Sequence, residues 1–389
     1  MSKPRILVFA HKPPPHHGQS QMVQFLVDGL SDGSKGIEIY HVNAQLSSGA
    51  EDIGRMRPGK LLRLLGFVLQ ALKARFFGGY TEFYYIPAPA KPSAIYRDWM
   101  VLGLCRWAFP HLILHWHSVG LGQWLKGSAR PWQRCLTRWA LGRASLSLSL
   151  SQLTSDDAAV LHPKKSFVVP NGIPDPVPKD EQVLLSTRHQ RQIRLQEALR
   201  RNGGDPVTIS VLFLALCSRD KGVIDALNSV ILANARLQQR GCPCRFHLTV
   251  AGEFVQPDDR AEFDRINAEH AAATVHGFLD REKKNAQFLA SDLFLFPTYY
   301  ANEGQPLNLV EAMAWGLPIV TTRWRAIPEI LPVDYPGIVA PRDIDGLASQ
   351  MLALFDQNLS PKLRNRYRER FTVDRHLDVL AEALRSSRD

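Results

Sequence analysis

Short apolar runs arranged in two series, with a proline-dense segment between them, restrict the fold of this 389-residue chain more than any other feature. The first series is Arg5–Ala10, Ile37–Val42, Glu82–Ile86, Leu112–His115, Leu146–Leu150 and Phe167–Val169. The second is Thr208–Cys217, Phe246–Ala251, Thr274–Gly277, Asp292–Phe296, Ile319–Thr322 and Gly337–Val339. Helical patterns separate most of these runs. A strand buried on both faces must be apolar at nearly every position, so runs of this kind alternating with helices predict parallel, doubly wound α/β sheets. The Pro/Asn/Gly stretch Val168–Pro178 divides the series and predicts a linker with a turn at Pro170-Asn171-Gly172. The expected domains are 1–175 and 176–365, both Rossmann-like, with a helix in 366–389 packing back on the first. In this architecture ligands bind beyond the C-terminal ends of the strands, so the two sheets are expected to face a shared cleft.

Composition excludes other classes. With 45% hydrophobic and 22% charged residues the chain is neither fibrous nor disordered, and no apolar run reaches the roughly 18 residues that span a bilayer. The apolar stretch Ile6–Ala10 is too short for a signal peptide, which predicts a cytoplasmic protein. Cys105, Cys135, Cys217, Cys242 and Cys244 form no even framework and read as reduced, mostly buried thiols.

The stretch Leu293–Glu329 carries the chemistry. It reads as a buried strand, a loop from Pro297, a helix opening near Pro306–Asn308 and stopped by Gly316, then another strand. Glu303 precedes the helix, and Glu311 lies one turn inside it on the face of Leu307 and Asn308. Backbone amides of Leu307, Asn308 and Leu309, with the helix dipole, make an anion site for phosphate. A carboxylate on each side suits hydroxyls, which gives the order sugar, diphosphate, ribose: Glu303 at the sugar, Glu311 at the ribose.

The residues Glu303-Gly304-Gln305-Pro306, Glu311-Ala312-Met313-Ala314, Gly316-Leu317-Pro318 and Ile319-Val320-Thr321-Thr322 resemble the signature of glycosyltransferase family 4, the glycosyl transferases group 1. The resemblance implies the GT-B fold, retention at the anomeric carbon and a UDP- or GDP-linked sugar donor. By the same match Gly304, Gln305, Leu307 and Asn308 would hold the donor. Lys221-Gly222 looks like the family's strand-loop-helix element in which basic residues neutralise the diphosphate; Arg219 sits closer to the lysine than the family's arginine does. His117, following the run Leu112–His115, resembles the histidine that contacts the donor sugar, and is a better match than His115. Gly18, in Pro14–Ser20, is the single glycine of what looks like the family's glycine loop; His16 and His17 read as loop residues. Phe278 stands near the expected base pocket.

Asp343-Ile344-Asp345 has the spacing of a metal-binding D-x-D, but it precedes a helical pattern, so Asp345 reads as an N-cap and no metal is expected. The expected activity is transfer of a sugar to a glycan or lipid-linked acceptor in cell-surface polysaccharide or lipopolysaccharide synthesis. The alternatives are a nucleotide-sugar epimerase of the same fold and a catalytically silent glycan-binding subunit.

Residues 1–176 hold 20 Lys+Arg against 10 Asp+Glu, whereas residues 177–389 hold 27 of each, so the net charge of +10 sits in the first half. Pro58–Gly79 combines a wide apolar arc with Lys60, Arg63, Lys73 and Arg75 and no acidic residue. Either this helix packs on the first sheet, or it and Arg97, Arg106, Arg130, Arg134 and Arg138 hold the domain on an anionic membrane surface. No nucleic-acid recognition motif accompanies the charge, so no nucleic-acid partner is expected.

Overall fold

The computed structural model describes residues 3–14, 18–46, 58–177 and 179–388. Pro15, His16 and His17 of the loop before Gly18, and Pro178 of the linker, lie outside the described residues. The chain divides into two compact units: Met1–Gly172 with Asn302–Gln305 and Val373–Asp389, and Ile173–Ala301 with Pro306–Thr372.

The first unit runs β1 (Arg5–Ala10), α1 (Gly18–Leu30), β2 (Glu38–Asn43), α2 (Pro58–Gly78), β3 (Glu82–Tyr85), α3 (Pro92–Cys105) and β4 (His111–Trp116). It continues through α4 (Leu121–Lys126), α5 (Pro131–Leu141), β5 (Leu146–Ser149), α6 (Gln152–Ala159) and β6 (Ser166–Val168). The second unit runs α7 (Glu181–Arg200), β7 (Val207–Leu214), α8 (Val223–Gln239), β8 (Cys244–Ala251), α9 (Pro257–His270), β9 (Ala273–Gly277), α10 (Arg281–Ala290) and β10 (Leu293–Phe296). It ends with α11 (Leu307–Ala314), β11 (Ile319–Thr322), α12 (Ile327–Ile330), β12 (Ile338–Val339), α13 (Ile344–Ala353) and α14 (Ser360–Arg370); α15 (Val373–Arg385) returns to the first unit.

Each unit holds one six-stranded sheet, in the orders β2-β1-β3-β4-β5-β6 and β12-β11-β10-β7-β8-β9. Every pairing within them is parallel. Strand order therefore reverses between β1 and β3 in one sheet and between β7 and β10 in the other, which are the switch points where such sheets take ligands.

Along β1 the buried side chains alternate between two cores. Leu7 and Phe9 join the helices α2, α3 and α5 on one face, while Ile6, Val8 and Ala10 join α1 and α15 on the other. The last helix, α15, buries Leu377, Leu380, Ala381 and Leu384, the spacing that places a single stripe against a sheet.

His376 is buried with that stripe, and its Nδ1 lies 2.7 Å from the carbonyl oxygen of Pro170. Loss of solvent pushes its pKa down to about 4. The folded state therefore binds this proton less tightly than the unfolded chain. Its contribution is complete above the unfolded value of 6.5 and is lost as pH falls towards 4, a difference of roughly 3 kcal/mol. Urea midpoints taken from pH 7 to 4 should fall more steeply for wild type than for His376→Gln; parallel curves would refute this assignment.

In the second unit, α7 explains its own polarity. Arg188 donates to the carbonyl oxygens of Trp315 (2.6 Å), Ser291 (3.0 Å) and Phe288 (2.8 Å), at the C-terminal ends of α11 and α10. Burial pushes its pKa down to about 10. Arg191 forks onto Asp292 at 2.9 and 3.1 Å, so a helix rich in Arg and Gln works as a polar clamp on carbonyls and one carboxylate. The five cysteines are free thiols, three of them buried as expected; Cys135 is exposed because it sits on the outer side of α5.

Candidate active site

At the switch point of the second sheet, β7 and β10 each hand over to a loop and a helix. After β7, residues Arg219–Lys221 form a 3-10 turn and Gly222 opens α8 with φ 84°. A Cβ at Gly222 would stand 2.4 Å from the carbonyl oxygen of Pro297, so both the left-handed backbone and the close approach of the two loops require glycine. The Tyr299 N–H donates to the carbonyl of Asp220 at 2.8 Å, which locks the loop after β10 to the turn after β7. Lys221 is thereby set with its ammonium 4.7 Å from the ring centre of Tyr300 and 5.7 Å from that of Phe296.

The helix α11 begins at Leu307, with Pro306 as an N-cap that provides no side-chain acceptor. Asn308 donates from Nδ2 to the carbonyl of Leu214 at 2.8 Å, tying the start of α11 to the end of β7. Its Oδ1 accepts from the Leu309 N–H at 2.9 Å. Of the three amides expected to serve an anion, Leu309's is therefore engaged by a side chain. At the other end Gly316, at φ 59°, donates to Met313 and Leu317 donates to Ala312, both at 2.9 Å, the double bond that closes a helix on a left-handed residue.

Glu311 is mostly buried and ion-paired with Lys284 of α10, a partner that the sequence reading did not foresee because 27 residues separate them. Phe278 is 68% exposed, while the neighbouring Leu279 packs on the core. Arg342, held at φ 64°, places its guanidinium 4.4 Å from the ring centre of Tyr299. Asp225 has its pKa raised, first by burial, and the charges of Arg342 and Arg219 oppose that rise. Tyr300, Arg342 and Lys284 carried no sequence signal except that two tyrosines follow an apolar strand end.

Arg219 is surrounded by acidic neighbours. Its guanidinium pairs with Glu262 on α9, its Nε lies 3.6 Å from Asp259, and its N–H donates to Asp259 at 2.9 Å. The D-x-D segment is corrected. Asp343, not Asp345, caps α13, accepting from the Gly346 N–H at 2.8 Å, and Asp345 pairs with Arg236. Among the described residues no three His, Cys, Asp or Glu side chains group as a metal site.

Glu303, Gly304 and Gln305 belong to the first unit, although the expected boundaries placed them in the second. The loop lies on the C-terminal end of β4: Asn302 donates to the carbonyl of Val119 at 2.7 Å, and a Cβ on Gly304 would stand 2.3 Å from the carbonyl oxygen of His117. Gln305 accepts from the Asn171 N–H at 2.8 Å and donates back to the Asn171 carbonyl at 3.3 Å, so its amide bridges the loop to the linker. Glu303 is 6% exposed. The His117 ring packs 4.3 Å from that of His115, whose Nδ1 is 2.5 Å from the Tyr84 hydroxyl. Burial holds His115 well below the usual histidine pKa, so it is a neutral support for His117. Gly18 is exposed at the start of α1.

The structure thus gathers Lys221, Leu307, Asn308 and Glu311 in one unit, and Glu303, Gly304, Gln305 and His117 in the other.

Residues 210–357 match the family model described as Glycosyl transferases group 1. A protein of Escherichia coli (strain K12) named for glycosyl transfer in colanic acid biosynthesis, WcaL, is 27% identical over 186 residues, 46% of this chain and 44% of that protein. The amylovoran biosynthesis glycosyltransferase AmsK of Erwinia amylovora is 28% identical over 170 residues, 42% of this chain and 38% of that protein. The aligned part is less than half of either relative. The crystal structure of Anabaena Alr3699/HepE in complex with UDP and glucose has a TM-score of 0.66 at 16% identity, covering 98% of this chain and 99% of that one. The fold is therefore GT-B. The second unit carries a glycosyl transferases group 1 domain.

Proposed function

We propose that the chain is a retaining glycosyltransferase that moves a sugar from a nucleoside diphosphate to a glycan or lipid-linked saccharide, in the cytoplasm, during synthesis of a cell-surface polysaccharide or lipopolysaccharide. One observation supports this reading: a lysine-bearing turn and a helix start with no side-chain cap meet at the switch point of the second sheet, a combination suited to a diphosphate. The loops after β7 and β10 are joined by the Tyr299–Asp220 bond and hold Lys221 against Tyr300, and α11, which follows the second of these loops, is tied to the end of β7 by Asn308 and has no side-chain cap from Pro306. The names of the colanic acid and amylovoran relatives support the polysaccharide role, and the UDP in the HepE structure supports a UDP-linked donor.

In this reading the bond between the anomeric carbon and the diphosphate oxygen breaks while the acceptor oxygen bonds to the same carbon from the same face. The acceptor's proton passes to a donor phosphate oxygen. Lys221 and the Leu307 and Asn308 N–H groups stabilise the negative charge that accumulates on the leaving diphosphate, so no metal is required. Glu303 holds sugar hydroxyls, His117 lines the sugar side, and Glu311 exchanges Lys284 for the ribose hydroxyls. Addition of EDTA should leave the rate unchanged; a rate restored only by a divalent cation would contradict this part.

A thermal-shift panel of UDP- and GDP-sugars is the direct test. A donor at about a hundredfold excess over its Kd stabilises the native state by roughly 2.7 kcal/mol. A panel without any shift would remove the reading. With that donor, acceptor-dependent product distinguishes transfer from epimerisation, which needs no acceptor, and from a silent subunit, which yields neither. Glu311→Gln should weaken donor binding by about 1.5–3 kcal/mol, the value of a charge-assisted hydrogen bond. Titration calorimetry showing unchanged affinity would exclude Glu311 from the ribose.

A further inference from the structure

We infer that the face of the first unit formed by α2, α3 and α5 is a docking surface for an anionic phospholipid bilayer. Residues 58–143 contain twelve Lys+Arg and two Asp+Glu, Glu82 and Asp98. Both acids are buried, at 0% and 1% exposure, and Asp98 is enclosed by Arg97, the Tyr85 hydroxyl and the Ala88 N–H. No acidic side chain of this stretch reaches the surface, while Arg63, Lys73, Lys91, Arg130 and Arg138 do.

Large apolar side chains stand out among these cations. Leu62 is 71% exposed, Leu69 67%, Phe77 87% and Trp107 70%. They are joined across the helices: the Phe76 ring lies 5.9 Å from Trp107, linking α2 to the end of α3, and Trp99 of α3 lies 5.6 Å from Trp132 of α5. Trp132 and Trp139 are half-exposed on α5. An open depression of about 610 Å³ beside α2, lined by Tyr40, Leu69, Gln70, Lys73, Phe77 and Tyr80, adds room for a lipid head group next to an ammonium.

Indole and phenyl rings flanked by Lys and Arg occupy the level of phospholipid head groups, where the apolar part leaves water and the cation meets phosphate. Among the described residues no helix is long and apolar enough to cross a membrane, so this face would lie on the bilayer and not in it. Charge complementarity selects the occupant. A second copy would set one strongly positive face against another, which repels, whereas an anionic leaflet attracts it.

The test is flotation of the full chain with phosphatidylcholine vesicles, with and without phosphatidylglycerol, in the absence of any sugar donor. Its outcome is therefore independent of the catalytic reading. Recovery should require phosphatidylglycerol and decline with added salt. Each basic residue near an anionic surface is worth about fivefold in partition, so Arg63→Ala/Lys73→Ala should weaken binding about 25-fold. Phe77→Ser/Trp107→Ser should also lose most of it. The four side chains are solvent-exposed or half outside the core, and an unchanged melting midpoint verifies that the variants are folded. Equal recovery on neutral and anionic vesicles, wild-type binding by either variant, or a concentration-dependent dimer abolished by Phe77→Ser would overturn the inference. So would tighter binding to a single-stranded RNA oligomer than to anionic vesicles.

Discussion

Lys221→Ala is expected to lower kcat by a hundred- to a thousandfold, about 2.7–4 kcal/mol of transition-state stabilisation, the cost of removing one preorganised group from a developing anion. The magnitude follows from how the ammonium is held. The turn Arg219–Lys221 is fixed by Gly222 at φ 84° and by the bond from the Tyr299 N–H to the Asp220 carbonyl. Little reorganisation is therefore left for the moment at which charge appears. Contacts with the Tyr300 and Phe296 rings contribute only about 0.5–1 kcal/mol to folding, so the variant should remain folded. Arg219→Ala is the internal contrast. Its guanidinium faces Glu262, half-exposed, and its removal should leave kcat within a few-fold of wild type. Equal losses in the two variants would show that overall positive charge matters and the placement of the lysine does not. Wild-type turnover in Lys221→Ala would remove the lysine from the mechanism. Glu303→Gln should fall with Lys221→Ala in rate if the carboxylate orients the sugar, while donor affinity changes less.

The strands were legible because a parallel sheet covered on both faces makes most strand positions apolar, as Phe294, Leu295 and Phe296 or Ile6, Leu7 and Val8 show, although Ser147, Ser149 and Thr321 are buried polar exceptions. The stop of α11 was legible for a local reason too, since a glycine at φ 59° is a requirement of the backbone itself. Strand order was not, because nothing along the chain states that β10 lies beside β7. The local backbone of the candidate site was legible at Lys221-Gly222, where a turn meets a helix start, and at Leu307–Asn308, where α11 begins. The site was not legible where a contact joins distant segments. Glu311 meets Lys284, Gln305 meets Asn171 across 134 positions, and the loop Asn302–Gln305 sits with the first unit. Asp343 and Asp345 show the limit at short range: both spacings allow a cap, and the start of α13 at Ile344 with the bond from the Gly346 N–H to Asp343 decides between them.

Arg364→Leu is expected to destabilise the second unit by about 3–5 kcal/mol, the range for breaking a buried ion pair from one side. The guanidinium is fully buried. It donates to Asp175 at 2.8 and 2.6 Å, to Glu181 at 3.1 Å, to the Ala314 carbonyl at 2.7 Å and to the Val177 carbonyl at 3.0 Å. Leucine fills the apolar part of that space, leaves Asp175 with only the Val177 N–H and Glu181 with only Arg368, and takes this donor from two carbonyls. Asp175 and Glu181 keep 27% and 24% of their exposure, so water relieves part of the penalty and the lower half of the range is expected. Replacing both carboxylates by apolar residues in the same background should recover much of the loss, because the cost lies in unpaired charge and not in the missing attraction. The lesion also reaches the site. Ala314 is the last residue of α11, and the same arginine that caps it fixes the helix whose first amides are proposed to hold the diphosphate. Donor affinity should therefore fall in Arg364→Leu at temperatures where the unit is still folded. Urea unfolding with a midpoint equal to wild type would show that the network is compensated elsewhere, and unchanged donor affinity would show that α11 is held without it.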